Sequence, residues 1–391
     1  MLENKTIICF ASGYNAPPTS KHHVMHLLAE KNVVLWVNYH ASRAPQATAS
    51  DFRYIIEKLG QIAGGMQNPR ANVHVLTPLV IPLPSSKLVR RLNRSLLISQ
   101  VKKALKKVSQ GPTQVWSFTP DIAYTLGQFD EEKVVYYCVD DHASFSGYDK
   151  AQVLKDEEEL ARRSDLVITT AMALQEAKKG WNDNTILVPH GVDFDHFSRA
   201  VNEDLSEPED MAGIPHPRLG FFGLIRDWVD LDLLAQVAKK RPEWHFVLIG
   251  DADSNVDLEQ YKPLTNMHFL GRKPYESLPA YCRFFDVGLI PFKINELTRA
   301  VNPIKLREYM AAGLPVVSTP LPEVGLYEDL IETGQSAHEF EQALEKCLSQ
   351  KTDHRNDRVK AMEHETWPTK IEVISRGLYG LQTIRTGGQA E

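Results

Sequence analysis

Short apolar runs of four to six residues alternate with stretches of helical periodicity along almost the whole chain. No other feature restricts the fold as strongly. A run that short, with no polar residue at every second position, suits a strand buried on both faces. A helix between two such strands returns the chain for parallel pairing. In the first half the predicted strands are Thr6–Ala11, Val33–Asn38, Val73–Leu76, Gln114–Phe118, Val134–Val139 and Leu166–Thr169. In the second they are Leu219–Gly223, His245–Ile249, Met267–Leu270, Val287–Pro291 and Val316–Ser318. Each set is enough for one doubly wound α/β sheet, and 391 residues exceed what one ordinary core organises.

The expected boundaries follow composition. Residues 1–197 form one domain and 218–365 a second. Between them, 198–217 carries Glu203, Asp204, Glu207, Glu209 and Asp210 with three prolines and no periodic apolar face, as an exposed linker would. Residues 366–391 open with Trp367-Pro368 and continue as an amphipathic run through Ile371, Val373, Ile374, Leu378 and Leu381. A net charge of −6 argues against a general nucleic-acid binder. Cys9, Cys138, Cys282 and Cys347 have no paired spacing and read as buried thiols in a reducing compartment. The N-terminus has no signal-peptide pattern, so the expected location is the cytoplasm.

Asn302 to Gly313 (NPIKLREYMAAG) reads as one complete helix: Asn302 as N-cap, Pro303 at the first position, Gly313 in the left-handed position after the end. Lys305 lies in the first turn, where free amides and the helix dipole favour an anion. Glu308 follows on the same face. A diphosphate would meet the amides and Lys305, and a ribose one turn along would give both hydroxyls to a carboxylate that only accepts. The same residues also suit a solvated surface helix.

This segment resembles the donor-binding signature of the GT-B glycosyltransferases. So do Asn266 to Gly271, Leu278 to Tyr281, Asp286 to Phe292, Val188 to Asp193 and Gly223 to Leu234, in the family's order. The segments are also similar to those of bacterial transferases of exopolysaccharide and teichuronic-acid assembly. The resemblance implies two Rossmann-like domains facing a central cleft, with the tail crossing back to the first. It also implies a nucleotide diphosphate sugar as donor, a UDP-sugar being favoured, with Glu308 on the ribose and no metal or other cofactor. Many retaining members carry a second glutamate eight residues earlier. Here that position is Ala300, with Glu296 out of register, which leaves retention or inversion open.

Other groups are read beside it. Gly223 allows close backbone approach and Arg226 suits a phosphate clamp, with Asp227 or Asp230 capping the next helix. Asp140-Asp141-His142 follows a strand, and Asp141 or His142 is the expected base for an acceptor hydroxyl; an Asx turn is the alternative. Lys21, His22 and His23 begin the first helix near the presumed cleft. Asp251-Ala252-Asp253 is read as a loop with a helix cap, not as a metal site. Lys87 to Lys107 holds eight Lys/Arg and no acid, with apolar spacing broken between Ser99 and Gln100. It suits either a basic amphipathic surface on an anionic inner leaflet or helices packed on the first sheet.

The function expected is transfer of a sugar to a hydroxyl of a saccharide or lipid-linked saccharide. The donor is held by Gly223, Arg226, Asn302, Lys305 and Glu308. A nucleotide-sugar epimerase and a non-catalytic two-domain binding protein are the rival readings.

Overall fold

The computed structural model describes residues 2–39, 65–79, 81, 87–349 and 354–380. The chain divides into two compact units, Met1–Val188 with Lys370–Glu391, and Pro189–Thr369.

The first unit is built on β1 (Thr6–Ala11), β2 (Val33–Asn38), β3 (Gln67–Arg70), β4 (Val73–Leu76), β5 (Thr113–Ser117), β6 (Glu131–Cys138), β7 (Leu166–Thr169) and β8 (Thr185–Leu187). Their order is β3-β4-β2-β1-β5-β6-β7-β8, parallel throughout except for β3 against β4. β1, β2 and β7 are buried at every residue, which is why their sequences show no polar alternation. β3 is exposed at every residue and contains Pro69, as an edge strand can.

The second unit contains β9 (Arg218–Phe222), β10 (His245–Ile249), β11 (Met267–Gly271), β12 (Val287–Ile290), β13 (Val316–Ser318) and β14 (Glu332–Thr333). Their order is β11-β10-β9-β12-β13-β14, all parallel. In both sheets the chain runs outward from a central strand, returns, and runs outward the other way. The reversal lies between β1 and β5 in one unit and between β9 and β12 in the other. Loops beyond the strand ends at such a reversal leave a crevice, which is where ligands bind in this class of sheet.

Three expectations are corrected. Residues 198–217 are not a linker between the units. They begin inside the Phe194–Asn202 helix, and Met211 and Ile214 are buried in the core of the second unit beside Phe197 and Ala200. Their acids do not keep the segment in solvent, because Arg218 reaches back to Glu207 and Lys273 to Asp210.

Residues 87–108 form one unbroken helix, with no interruption at Ser99-Gln100. Gln100 is instead a tie. It accepts from Leu79 N–H at 2.9 Å and donates to Leu79 O at 3.1 Å.

The C-terminal boundary falls at Lys370, inside the Trp367–Tyr379 helix. In the first unit that helix buries Ile374 and Leu378, and Tyr379 Oη accepts from Gln114 Nε2 at 2.8 Å. Leu381 lies outside the described residues. Among the described residues no helix is long and apolar enough to cross a membrane.

Candidate functional site

The helix carrying Lys305 and Glu308 runs Ile304–Ala311, and its placement follows from glycines in the sheet beneath. Gly220 and Gly288 are register partners across β9 and β12. A Cβ on Gly288 would lie 2.7 Å from the Tyr309 ring, and one on Gly220 would lie 2.1 Å from Phe285. Their bare backbones let both rings pack on the sheet. Tyr309 is fully buried, and its hydroxyl accepts the Phe222 N–H at 3.1 Å. This pins the helix to the end of β9, one residue before Gly223. The far end closes as expected: Gly313 takes φ +71°, its N–H donates to Met310 O at 2.9 Å and Leu314 N–H to Tyr309 O at 3.0 Å.

The start of the helix differs from expectation. Pro303, not Asn302, is the N-cap, and no side chain caps it. Asn302 is buried and serves a network below the helix. Its Oδ1 accepts from Arg307 Nη1 at 2.5 Å and its Nδ2 donates to Glu323 at 3.2 Å. Arg307, also buried, lies 3.7 Å from Glu365 and over the Tyr327 ring. First-turn amides are therefore left without a side-chain cap, as an anion site requires.

Glu308 is only 3% exposed. Its Oε2 lies 3.2 Å from Lys305 Nζ yet accepts no well-directed hydrogen bond. A buried carboxylate oxygen in that state is costly unless a ligand donates to it. Lys305 also sits 5.2 Å from the Phe222 ring centre, and its Cε would touch a Cβ at Gly223 at 3.1 Å. Gly223 adopts φ +150°, and Gly250 on the neighbouring loop φ +147°. A side chain at Gly250 would place its Cβ 1.8 Å from Gly223 O, so the two loops meet backbone to backbone.

Those loops are stitched together. Ile225 N–H donates to Asp251 O at 3.0 Å, and Asp253 N–H to Ile225 O at 2.9 Å. Asp253 then stands 3.4 Å from Arg226 Nε, whose guanidinium lies over Trp228. The Asp251–Asp253 segment thus extends the pairing of β9 and β10 beyond their ends and caps no helix. Asp230, of the two candidates, caps the Leu231–Lys240 helix through Leu233 N–H at 3.0 Å. Gly223, Lys305 and Glu308 meet at the end of β9, Arg226 lies on the same loop against Asp253, and Asn302 braces Arg307 of the helix. Ala300 is buried, and no carboxylate stands in its place; Glu296 is exposed on the short Glu296–Arg299 helix.

In the first unit the loop after β6 carries Asp140, Asp141 and His142. Asp141 forms the turn: its carboxylate accepts from Ala143 N–H at 3.3 Å and Ser144 Oγ at 2.5 Å. The Asx turn is thus present, and it occupies the carboxylate that sequence reasoning favoured as the base. Asp140 is different. Burial, offset in part by the Lys21 cation and reinforced by Asp141, pushes its carboxyl up to about 7. Lys21 donates to Ser12 Oγ, and burial lowers its ammonium to about 8. His142 Nε2 is buried without a hydrogen-bond partner among the described residues, and burial lowers its imidazole below the usual range.

His22 is structural. Its Nδ1 accepts from Thr19 N–H at 3.2 Å and its Nε2 faces Tyr14 O at 3.0 Å, while burial holds it neutral with a value of about 3. Sequence reasoning passed over Asp140 in favour of its neighbour, and no signal in the sequence separates the two. Burial does.

Residues 216–350 match the family model for glycosyl transferases group 1. Over 258 residues the chain is 27% identical to a putative teichuronic acid biosynthesis glycosyltransferase, TuaH, of Bacillus subtilis; the match covers 61% of this chain and 64% of the relative's length. Among solved structures, Anabaena HepE in complex with UDP and glucose superposes with a TM-score of 0.66 at 17% identity, over 96% of this chain and 99% of that one. Sucrose-phosphate synthase of Thermosynechococcus elongatus does so with 0.69 at 15% identity, over 97% and 100%. Residues 216–350 are therefore a group 1 glycosyl transferase domain, and the chain that carries it has the GT-B glycosyltransferase fold.

Proposed function

We propose that this protein transfers a hexosyl group from a nucleoside diphosphate sugar, a UDP-sugar by preference, to a hydroxyl of a saccharide or lipid-linked saccharide in bacterial polysaccharide assembly. The observation that carries the reading is the buried Glu308 carboxylate with an unfilled acceptor oxygen, one turn from the uncapped helix start and Lys305. A ribose diol supplies two donors to that carboxylate. The adjoining diphosphate lies on the first-turn amides and Lys305. Donor complexes of a like-folded protein, HepE with UDP and glucose or with UDP-glucose, support the nucleotide, as the TuaH likeness supports the polymer.

As the bond to the anomeric carbon breaks, negative charge grows on the β-phosphate. Lys305 and the helix amides meet that charge, and Arg226 reaches it by leaving Asp253. These groups do what a divalent cation does in other transferases, so the reaction proceeds without metal. In the first unit Asp140 is the group suited to take the acceptor's proton, its value lying near neutrality. His142, next in the same turn, offers a neutral imidazole to a sugar hydroxyl.

The test is release of nucleoside diphosphate from a panel of nucleotide sugars in EDTA, with and without oligosaccharide and lipid-linked acceptors. Acceptor-dependent release of UDP with a lengthened glycan supports the reading. Interconversion of the donor sugar without any acceptor points to an epimerase. Tight UDP binding with no turnover on any acceptor leaves a binding protein.

A further inference from the structure

The first unit holds an ion pair almost wholly out of water. Glu157, on the Lys150–Arg163 helix, and Lys178, at the end of the Met172–Lys178 helix, stand 2.7 Å apart with side chains 0% and 3% exposed. Lys178 also lies over the Trp181 ring at 4.5 Å. The other partners of the carboxylate come from β6. Tyr136 Oη donates to Glu157 Oε1 at 2.6 Å, and Cys138 Sγ donates to the same oxygen at 3.5 Å. Being two residues apart, they share one face of the strand. Tyr137, between them, turns the other way and stacks on Phe118. Burial, with the Glu157 carboxylate adding to it, holds the Tyr136 hydroxyl and the Cys138 thiol well above their ordinary ranges, so both stay protonated donors.

Such a pair is a costly way to fill space. Apolar side chains of the same length would pack there without taking two charges out of water. What the pair supplies is direction, because bonds from three elements converge on one carboxylate. They converge at the foot of the loop that carries Asp140 and His142. Cys138 is the last residue of β6, and its thiol reaches Asp140 O at 3.5 Å as well as Glu157. The helix carrying Glu157 packs on the His142–Ser144 turn. Glu157 and Lys178 act on the His142 imidazole in opposite senses, the first favouring its cation and the second opposing it.

We propose that Glu157 and Lys178 are a positioning pair, which fixes the end of β6 so that Asp140 and His142 meet the acceptor in one geometry. Both are too deeply buried to touch substrate themselves. Their effect on turnover rests on the transfer reading above, whereas their hold on the loop does not.

The experiment compares three full-chain variants with the wild type: Glu157→Met combined with Lys178→Met, Glu157→Gln alone, and Cys138→Ala. Melting temperature, UDP affinity, acceptor-dependent kcat and amide exchange at Ala143 and Ser144 are read on each. Glu157→Gln leaves Lys178 buried without its counter-charge and should melt lowest. The double methionine variant should melt near the wild type, because an apolar pair of similar volume fills the site. Its kcat should nonetheless fall on the order of ten- to a hundredfold, with UDP affinity unchanged. Exchange should quicken at Ala143 and Ser144, whose N–H groups bond to Asp141 in the wild type. A pair that merely stabilised the unit would give back kcat together with stability, and that result overturns the proposal. Unchanged exchange in the loop overturns it too. If the double variant does not fold, Cys138→Ala decides by the same readings, since it cuts the thiol link and leaves the ion pair in place. A wild type without acceptor-dependent release would sink the transfer reading, and loop exchange alone would then judge the pair.

Discussion

The two sheets share a topology and differ in what the loops beyond their strands hold. At β9 and β12 the chemistry-bearing groups are locked by backbone devices: paired glycines under Tyr309 and Phe285, two loops in backbone contact at Gly223 and Gly250, and Asn302 and Arg307 as a buried brace. Lys305 and Arg226 there already have counter-ions in Glu308 and Asp253. Beside β1 and β6 the groups are instead held by burial, which moves Asp140 up and Lys21 down toward neutrality. A site that receives a ligand of fixed charge gains from rigid, paired ions. A site that must move a proton gains from groups whose two forms are close in free energy. On the proposed function, the same fold supports a binding pole and a proton-transfer pole.

The sharpest way to break this comparison is in the first unit. Asp140→Asn should lower kcat on the order of a hundredfold to ten-thousandfold, with UDP affinity unchanged. Asp141→Asn should keep kcat within about a decade and cost about 1 kcal/mol of stability through the lost turn bonds. Steady-state kinetics and thermal melts on both variants check this, and the reverse ranking would return the base to Asp141.

In the second unit Glu308→Ala should weaken UDP binding on the order of a hundredfold, two hydrogen bonds to a charged group being removed. Isothermal calorimetry reads it directly. Tyr309→Phe leaves the Phe222 N–H buried without its acceptor and should cost about 1–3 kcal/mol. It should also loosen UDP through the displaced helix, which separates brace from contact when stability and affinity are measured together.

The smallest effect expected is in pH. The deprotonated carboxylate is the active form, so kcat should rise as pH rises through about 7 and level off above it. That limb should vanish in Asp140→Asn.

Much of the fold was legible because buried parallel strands leave uninterrupted apolar runs, and β1, β2 and β4 match their sequence-expected bounds. The missed strands are those without such runs: β3 is polar and exposed, β8 only partly buried, and β14 two residues long. Acidic composition misled at 198–217, where Met211 and Ile214 anchor the segment, since two apolar residues without periodicity give no sequence signal. The Gly313 terminus was legible from the glycine itself. The role of Asn302 was not, because Arg307 five residues on and Glu323 beyond the next strand draw its side chain below the helix. Asp140 and Asp141 are alike in sequence and differ only in what the folded sheet places around them.

The most direct test of the central claim is a UDP thermal-shift titration of the wild type and of Glu308→Ala, in EDTA. At a hundred times its dissociation constant UDP should add about 2.7 kcal/mol to the wild type. Glu308→Ala, folded and melting near the wild type without ligand, should show almost none of that gain at the same concentration. An undiminished shift in the folded variant, or no shift in the wild type, would contradict the placement of the nucleotide at Glu308.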